Sequence, residues 1–404
     1  MSLERTAFLT AMLGVFVSSA GAIVVCDDPD LHEITAPSEY DAVGYLSTAG
    51  GATGSLIDEW FVLTARHAVT SNTTDSHVTF GGSKTFTLDL AGGQQSFELA
   101  EAWIQQPIDL AVVRLKQAAP LSGYAINETW NETGREGTLI GYGQSGLPET
   151  VTQGGDPDYP RGTKRIGYNR IDYAQQISDT WMLATDFDAG AAGLGVDKEA
   201  MIALGDSGGP VFIEVGGQTL LAGVSVSIYD DGDGLWPEYG DSGRHVRVRT
   251  YSDWILNNIP AQPADQTGDF NMDGGVSYHD VDLLQERIND ASDDLWFDVS
   301  QDGTVSGDDM TTLIEDILGT RFGDVDLGGT VDAADLSVLA TYWQTSASGW
   351  SQADFTGDGT VDASDLSLLA SNWQDEPPAA AALPEPTACL LLAACAWPLL
   401  RRRR

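Results

Sequence analysis

Three polar residues stand where chemistry can be done: a serine boxed by glycines, a histidine at the end of an apolar run, and an aspartate just ahead of another. The serine is Ser207 in "GDSGGP" (205–210), which leads into the apolar run "VFIEV". Small flanking residues let a carbonyl approach backbone N–H groups, as an oxyanion beside a serine nucleophile requires. A serine hydroxyl at its free pKa is inert, so it needs a histidine base, and that base needs a carboxylate to hold its tautomer. His67 in "VLTARHAV" has the strand-end context, which His32, His77, His245 and His279 lack, and "PIDLAVVRL" presents Asp109 before an apolar run.

The order His67, Asp109, Ser207, separated by 42 and 98 residues, resembles that of the chymotrypsin/trypsin family of serine endopeptidases. The resemblance implies Ser207 as nucleophile, His67 as base, Asp109 as its orienter, and the amides of Gly205 and Ser207 as oxyanion hole. It implies protein or peptide substrates and no cofactor for the chemistry. Met201, six residues before the nucleophile, then forms the floor of the specificity pocket and favours apolar or small side chains. Ser225 or Ser227 lines the later pocket wall and supports the aspartate. The family's inward-folding amino terminus maps onto Ile23, pairing with Asp206, if export processing cuts after Ala22. Two departures stand out: Arg66 and Ala68 flank His67 in place of the family's alanine and cysteine, and the family's disulfides are absent.

The elements that must carry these residues are short. "EWFVLTA", "DLAVVRL", "GTLIGYG", "GPVFIEV" and "LLAGVSVSI" are rich in β-branched residues and are separated by Gly, Asp and Asn, which predicts an all-β sandwich or barrel. "GTLIGYG", ending at Gly143, and "HVRVRTYSDWI" are similar to the family's second-barrel turn and to its last strand and terminal helix. The resemblance thus spans residues 23–259 and implies a mainly β fold of two six-stranded antiparallel β-barrels.

Composition changes at "NNIPAQPADQTG", so a linker is expected at 260–268. Beyond it, twelve-residue acidic loops begin at residues 269, 298, 324 and 354, each followed by a short apolar helix, which makes a small α-helical region. Calcium takes oxygen ligands, and such a loop needs them at alternate positions with a glycine at position 6 for the turn. The first loop offers Asp269, Asn271, Asp273, Gly275, Ser277 and Asp280, and the second Asp298, Ser300, Asp302, Thr304, Ser306 and Asp309. The third offers Asp324, Asp326, Thr330, Asp332 and Asp335, and the fourth Asp354, Thr356, Asp358, Thr360, Asp362 and Asp365. Gly328 takes position 5 of the third loop, making it the weakest by sequence. Aspartate at position 12, with no helix entering each loop, resembles paired dockerin type I repeats, here at 269–319 and 320–376. That resemblance implies bound Ca2+ and a cohesin-like partner.

The 404 residues carry 60 acidic and 20 basic side chains, a formal net charge of -40. Residues 265–376 hold 25 of those acids against Arg287 and Arg321. Such a surface repels nucleic acid and attracts cations. Arg5, an apolar run and the small residues Ala20–Ala22 predict an export signal over 1–22. The end, "PEPTACLLLAACAWPLLRRRR", resembles a PEP-CTERM sorting tail over 377–404, implying transient membrane contact and a secreted or cell-surface destination in a bacterium with an outer envelope. Two other functions fit the same modules: a catalytically silent calcium-dependent adhesion protein, or a part of a polysaccharide-degrading surface assembly.

Overall fold

The structure, a computed structural model, describes residues 23–48, 50–148, 159, 161–188, 199–230, 232, 236–258, 268–346 and 349–374. The expected leader, most of the linker and the sorting tail lie outside the described residues. The chain divides into two units after Ile259.

The first unit is mainly β. It opens with β1 (Val24–Val25), followed by β2 (Val43–Leu46), β3 (Ala52–Leu56), β4 (Phe61–Thr64), β5 (His77–Thr79), β6 (Thr85–Leu90), β7 (Gly93–Ile104) and β8 (Ala111–Leu115). Strands β2 to β8 form an antiparallel sheet in the order β5-β7-β6-β2-β3-β4-β8, and a further β7–β8 pairing closes six of them into a barrel. Closure depends on β7. Its first half pairs with β6 and its second with β8, and a bulge between Leu99 and Glu101 turns it from one neighbour to the other. The barrel is filled by Leu46, Val62, Phe86, Leu88, Phe97 and Leu99, all buried. Each such side chain contributes about 1.5–3 kcal/mol relative to exposure.

The second sheet is built from β9 (Glu136–Gly141), β10 (Arg165–Arg170), β11 (Tyr173–Ile177), β12 (Thr180–Asp186), β14 (Pro210–Val215), β15 (Gln218–Tyr229) and β16 (Ser242–Arg247), while the short β13 (Ala200–Met201) pairs with β1. Its order is β10-β9-β14-β15-β16-β12-β11. A second closed six-stranded barrel was expected, but among the described residues this seven-stranded sheet is not closed by strand pairing. A side chain bridges the gap instead: buried Asn169 of β10 donates through Nδ2 to the carbonyls of Asp186, at the end of β12, and Ala200. Among its described residues the unit has two short α-helices, α1 (Arg66–Val69) and α2 (Ser252–Asn257).

The second unit carries α3 (Tyr278–Asn289), α4 (Gly307–Thr311), α5 (Ala333–Tyr342) and α6 (Ala363–Ser371), one after each acidic loop. Each begins with a reciprocal cap in which the loop's ninth residue (Ser277, Ser306, Asp332 or Asp362) pairs with its twelfth (Asp280, Asp309, Asp335 or Asp365). The acid that ends each loop therefore also starts a helix. One apolar cluster, including Phe270, Leu284, Phe297, Leu313, Trp350 and Phe355, runs through both loop pairs. Trp350 ties them further, its backbone N–H donating to Asp282 (2.6 Å) and its indole N–H to the Asp324 carbonyl (2.7 Å). No described helix is long and apolar enough to cross a membrane.

Candidate active site

His67 sits on α1, the single helical turn that follows β4. Its backbone N–H donates to Asp109 Oδ1 (2.9 Å) and its ring Nδ1 lies 2.7 Å from Oδ2, so one carboxylate fixes both the turn and the imidazole. Burial pushes the Asp109 carboxyl up, but the hydrogen bonds and charge of His67, with a contribution from Arg66, outweigh it and hold the group below the usual carboxylate range. With Nδ1–H committed to Asp109, Nε2 is left to accept a proton.

Ser207 lies on the loop that connects β13 to β14. The loop is tied to the closed barrel through Thr53 of β3, whose N–H donates to the Ser207 carbonyl (2.9 Å) and whose hydroxyl donates to the Gly205 carbonyl (3.2 Å). Gly208 shows why the loop is glycine-rich. Its φ is +84°, and a Cβ there would lie 2.0 Å from the Thr64 hydroxyl. Among the described residues, the Gly205 and Ser207 amides donate to no protein acceptor.

His67 and Ser207 line one cavity of about 300 Å3. Its apolar walls are Ile202, Ala203, Leu204, Val226, Ile228 and Trp236, and its other polar walls are Ser227 and Asp230. The expected floor residue, Met201, does not reach it. Met201 is fully buried, paired with Val24 and packed with Phe187 and Ala203, so apolar core fills the space below the cavity. Of the two serines, Ser227 reaches the cavity and Ser225 does not. Ser225 is buried against His245, Oγ to Nδ1 3.1 Å, and its backbone holds Gly208 and Gly209, so it braces the nucleophile loop rather than Asp109.

His245 was not singled out by sequence. Its ring also meets the Thr185 hydroxyl (3.2 Å), and burial, aided by the Arg244 charge, pushes it down to about 3. It is a neutral hydrogen-bonding member of the β-sheet core. Its place in "GRHVRV", in register opposite Ser225, is the signal that could have found it.

Asp206, next to Ser207, is completely enclosed. Oδ2 accepts from the Ile23 nitrogen (3.0 Å) and the Ala203 N–H (2.8 Å), and Oδ1 accepts from the Gly143 N–H (2.8 Å). Burial raises its carboxyl to about 7 despite those bonds and the charge of Arg161. Ile23 is equally buried, and its carbonyl accepts from the Ser145 hydroxyl (2.7 Å).

The acidic loops share one backbone form. In each, the first aspartate accepts the N–H of position 6: Asp269 from Gly274, Asp298 from Gly303, Asp324 from Gly329 and Asp354 from Gly359. Those glycines have φ between +85° and +98°. In the third loop the carboxylates of Asp324, Asp326 and Asp335 come within 4.8 Å of one another. Burial, with the neighbouring charge of Asp335, raises the Asp324 carboxyl despite hydrogen bonds from Thr320, Gly329 and Gly328. Crowded hard oxygens of like charge fit a calcium ion. By sequence this loop was the weakest. It alone carries acids at positions 1, 3 and 12 together, whereas the others use Asn271, Ser300 and Thr356 at position 3.

A repeated apolar surface lies on α5 and α6. One hollow is lined by Leu336, Leu339, Ala340, Trp343 and Leu366, and a second by their counterparts thirty residues on, Leu366, Leu369, Ala370 and Trp373, together with Leu336.

Comparison with known proteins places these features. Residues 322–372 match the dockerin type I domain. No curated protein matches the chain. Among solved structures, it is similar to mouse neuropsin, a serine protease expressed in the limbic system of the brain, at 18% identity over 56% of this chain and 98% of that one, with a TM-score of 0.41. Residues 33–255, more than half of the sequence, match the Trypsin family, and the chain belongs to that family.

Proposed function

We propose that the protein is an exported serine endopeptidase joined to a calcium-binding docking region. The observation that carries the reading is the 2.7 Å His67–Asp109 pair, whose histidine lines one cavity with Ser207. In this reading His67 Nε2 takes the proton of the Ser207 hydroxyl as its oxygen attacks the scissile carbonyl. The amides of Gly205 and Ser207 receive the oxyanion, and His67 returns the proton to the leaving amine as the acyl-enzyme forms. Water then repeats the sequence to release the acid. The walls formed by Ile202, Val226, Ile228 and Trp236 favour an apolar side chain at the scissile position. A fluorophosphonate probe tests the assignment directly: it should label the protein at Ser207 and fail on Ser207→Ala. An unlabelled parent that cleaves no peptide would refute it.

Cleavage after Ala22 would give Ile23 a free ammonium, and the Ile23 nitrogen already lies beside the enclosed Asp206 carboxylate. We read export processing as the activating step. In the docking region, Asp324, Asp326 and Asp335 would hold calcium in the third loop, and the equivalent carboxylates, amides and hydroxyls would hold it in the others. Calcium there relieves the repulsion between the loop carboxylates and so stabilises the folded region. The apolar face of Leu336, Trp343, Leu366 and Trp373 is where a cohesin-like partner would dock. Residues 322–374 carry eight acids and no base, so that partner should present apolar side chains within a basic rim. Titration with purified cohesin domains tests this: Leu336→Asp should weaken binding, and unchanged affinity would move the interface elsewhere.

A further inference from the structure

We propose that Arg66 is a positioning residue of the catalytic machinery, with its guanidinium acting as the second anchor of Asp109 and setting the acid limit of the reaction. The proposal rests on the triad reading above.

Arg66 Nε lies 3.7 Å from Asp109 Oδ1, and the Arg66 side chain is only 14% exposed. That Nε–H is enclosed and has no hydrogen-bond acceptor, although its nearest anionic oxygen is the carboxylate that orients the base. The distance is too long for a direct hydrogen bond and short enough for a strong charge contact. Catalytic hydrogen bonds are often long without substrate and tighten on binding. The sequence leads one to expect a serine hydroxyl on Asp109, but Ser225 is turned to His245 and Ser227 lies on the cavity wall. Asp109 receives two bonds from His67, so among the described residues its remaining support is Arg66. The leading charges on Asp109 are these two side chains, both carried by α1, while Asp230, just past β15, faces the same cavity as His67.

The sign of the effect follows from charge. Catalysis requires His67 to be neutral before attack, and protonation stops it at low pH. A guanidinium beside the Asp109–His67 pair opposes a second positive charge on the imidazole. Removing the Arg66 charge is therefore expected to move the acid limb of the reaction up. Arg66 does not line the cavity, so substrate affinity should not depend on it.

The experiment is the pH profile of kcat/KM for the full-length enzyme and for Arg66→Gln, Arg66→Ala and Arg66→Lys, with phosphonate labelling of each and near-ultraviolet circular dichroism as a folding control. We expect the acid limb of the Gln and Ala variants to move up by on the order of half a pH unit at unchanged KM. The Lys variant should hold the limb near the parent's. An acid limb that coincides with the parent's in both neutral variants overturns the proposal, as does a Lys variant that shifts as far as Gln. Loss of folding in Gln and Ala but not Lys would make Arg66 a scaffold residue and equally overturn it. Failure of the parent to label would instead remove the triad reading, and this inference with it.

Discussion

The Ile23 nitrogen and Asp206 Oδ2, 183 positions apart in sequence, meet at 3.0 Å inside the first unit. The carboxylate that touches the nucleophile loop thus depends on what the Ile23 nitrogen is: a peptide amide or an ammonium. With an amide, Asp206 is raised from its ordinary 3.8 to about 7. The folded chain then holds a proton that the unfolded chain releases, so this contribution to stability is present below pH 4 and is lost as pH rises through 7. The loss is on the order of 4 kcal/mol. An ammonium at Ile23 removes it by keeping the carboxylate ionised. In a Ser207→Ala background, urea unfolding of a form beginning at Ile23 and a form extended by one residue should diverge between pH 4 and pH 7, with the extended form the weaker at neutral pH. Parallel pH dependences would show that Asp206 does not depend on the new amine.

Asp109 offers a sharper test of the base. Asp109→Asn keeps the shape but replaces one carboxylate oxygen with an N–H donor, which favours the wrong His67 tautomer. A fall in kcat of about 10⁴ is expected, with KM little changed. Steady-state kinetics on an apolar peptide substrate reads both constants. A variant within tenfold of the parent would mean that His67 is not the base.

In the docking region, the third loop should fill with calcium despite its glycine at position 5. Asp335→Asn removes one carboxylate from the three that converge while leaving an acceptor for the helix cap, so it should lower the calcium count by one rather than unfold α5. Calorimetry of the full chain measures the count, and circular dichroism measures the helix. An unchanged count would place the ion elsewhere.

What could be read in the sequence and what could not divide along physical lines. The motifs around Ser207, His67 and Asp109 are visible because each belongs to a local turn or strand end whose form is set by its own neighbours, and the structure pairs His67 with Asp109 and sets His67 and Ser207 on one cavity. Ser225 and Ser227 are not: residues two apart in a regular strand share a face, but a bulge in β15 falls between them and sends one to the core and the other to the cavity. The loop glycines at position 6 are visible in the sequence. The positive φ at position 4 is not, because Met272, Gln301 and Leu327 adopt it without being glycine. The gap in the second sheet is bridged by one side chain, Asn169, a contact that no strand pattern encodes.

Met201 marks the place where counting along the chain and packing part company, and it supplies a test of the cavity itself. Six residues before the nucleophile, it occupies the position from which the family reads its substrate, yet Val24, Phe187 and Ala203 enclose it. An aspartate introduced there would not face the cavity. It would be a buried, unpaired charge, costing about 3–5 kcal/mol as an isolated member of an ion pair does. Met201→Asp should therefore lower the melting temperature clearly and leave the proposed preference for apolar over basic side chains unchanged in a peptide-library cleavage profile. Ile228→Gly, which removes a cavity wall, should instead broaden the preference toward larger apolar side chains with a smaller thermal cost. If Met201→Asp were stable and cleaved after lysine or arginine, the cavity would extend to residue 201 and the apolar floor would be wrong.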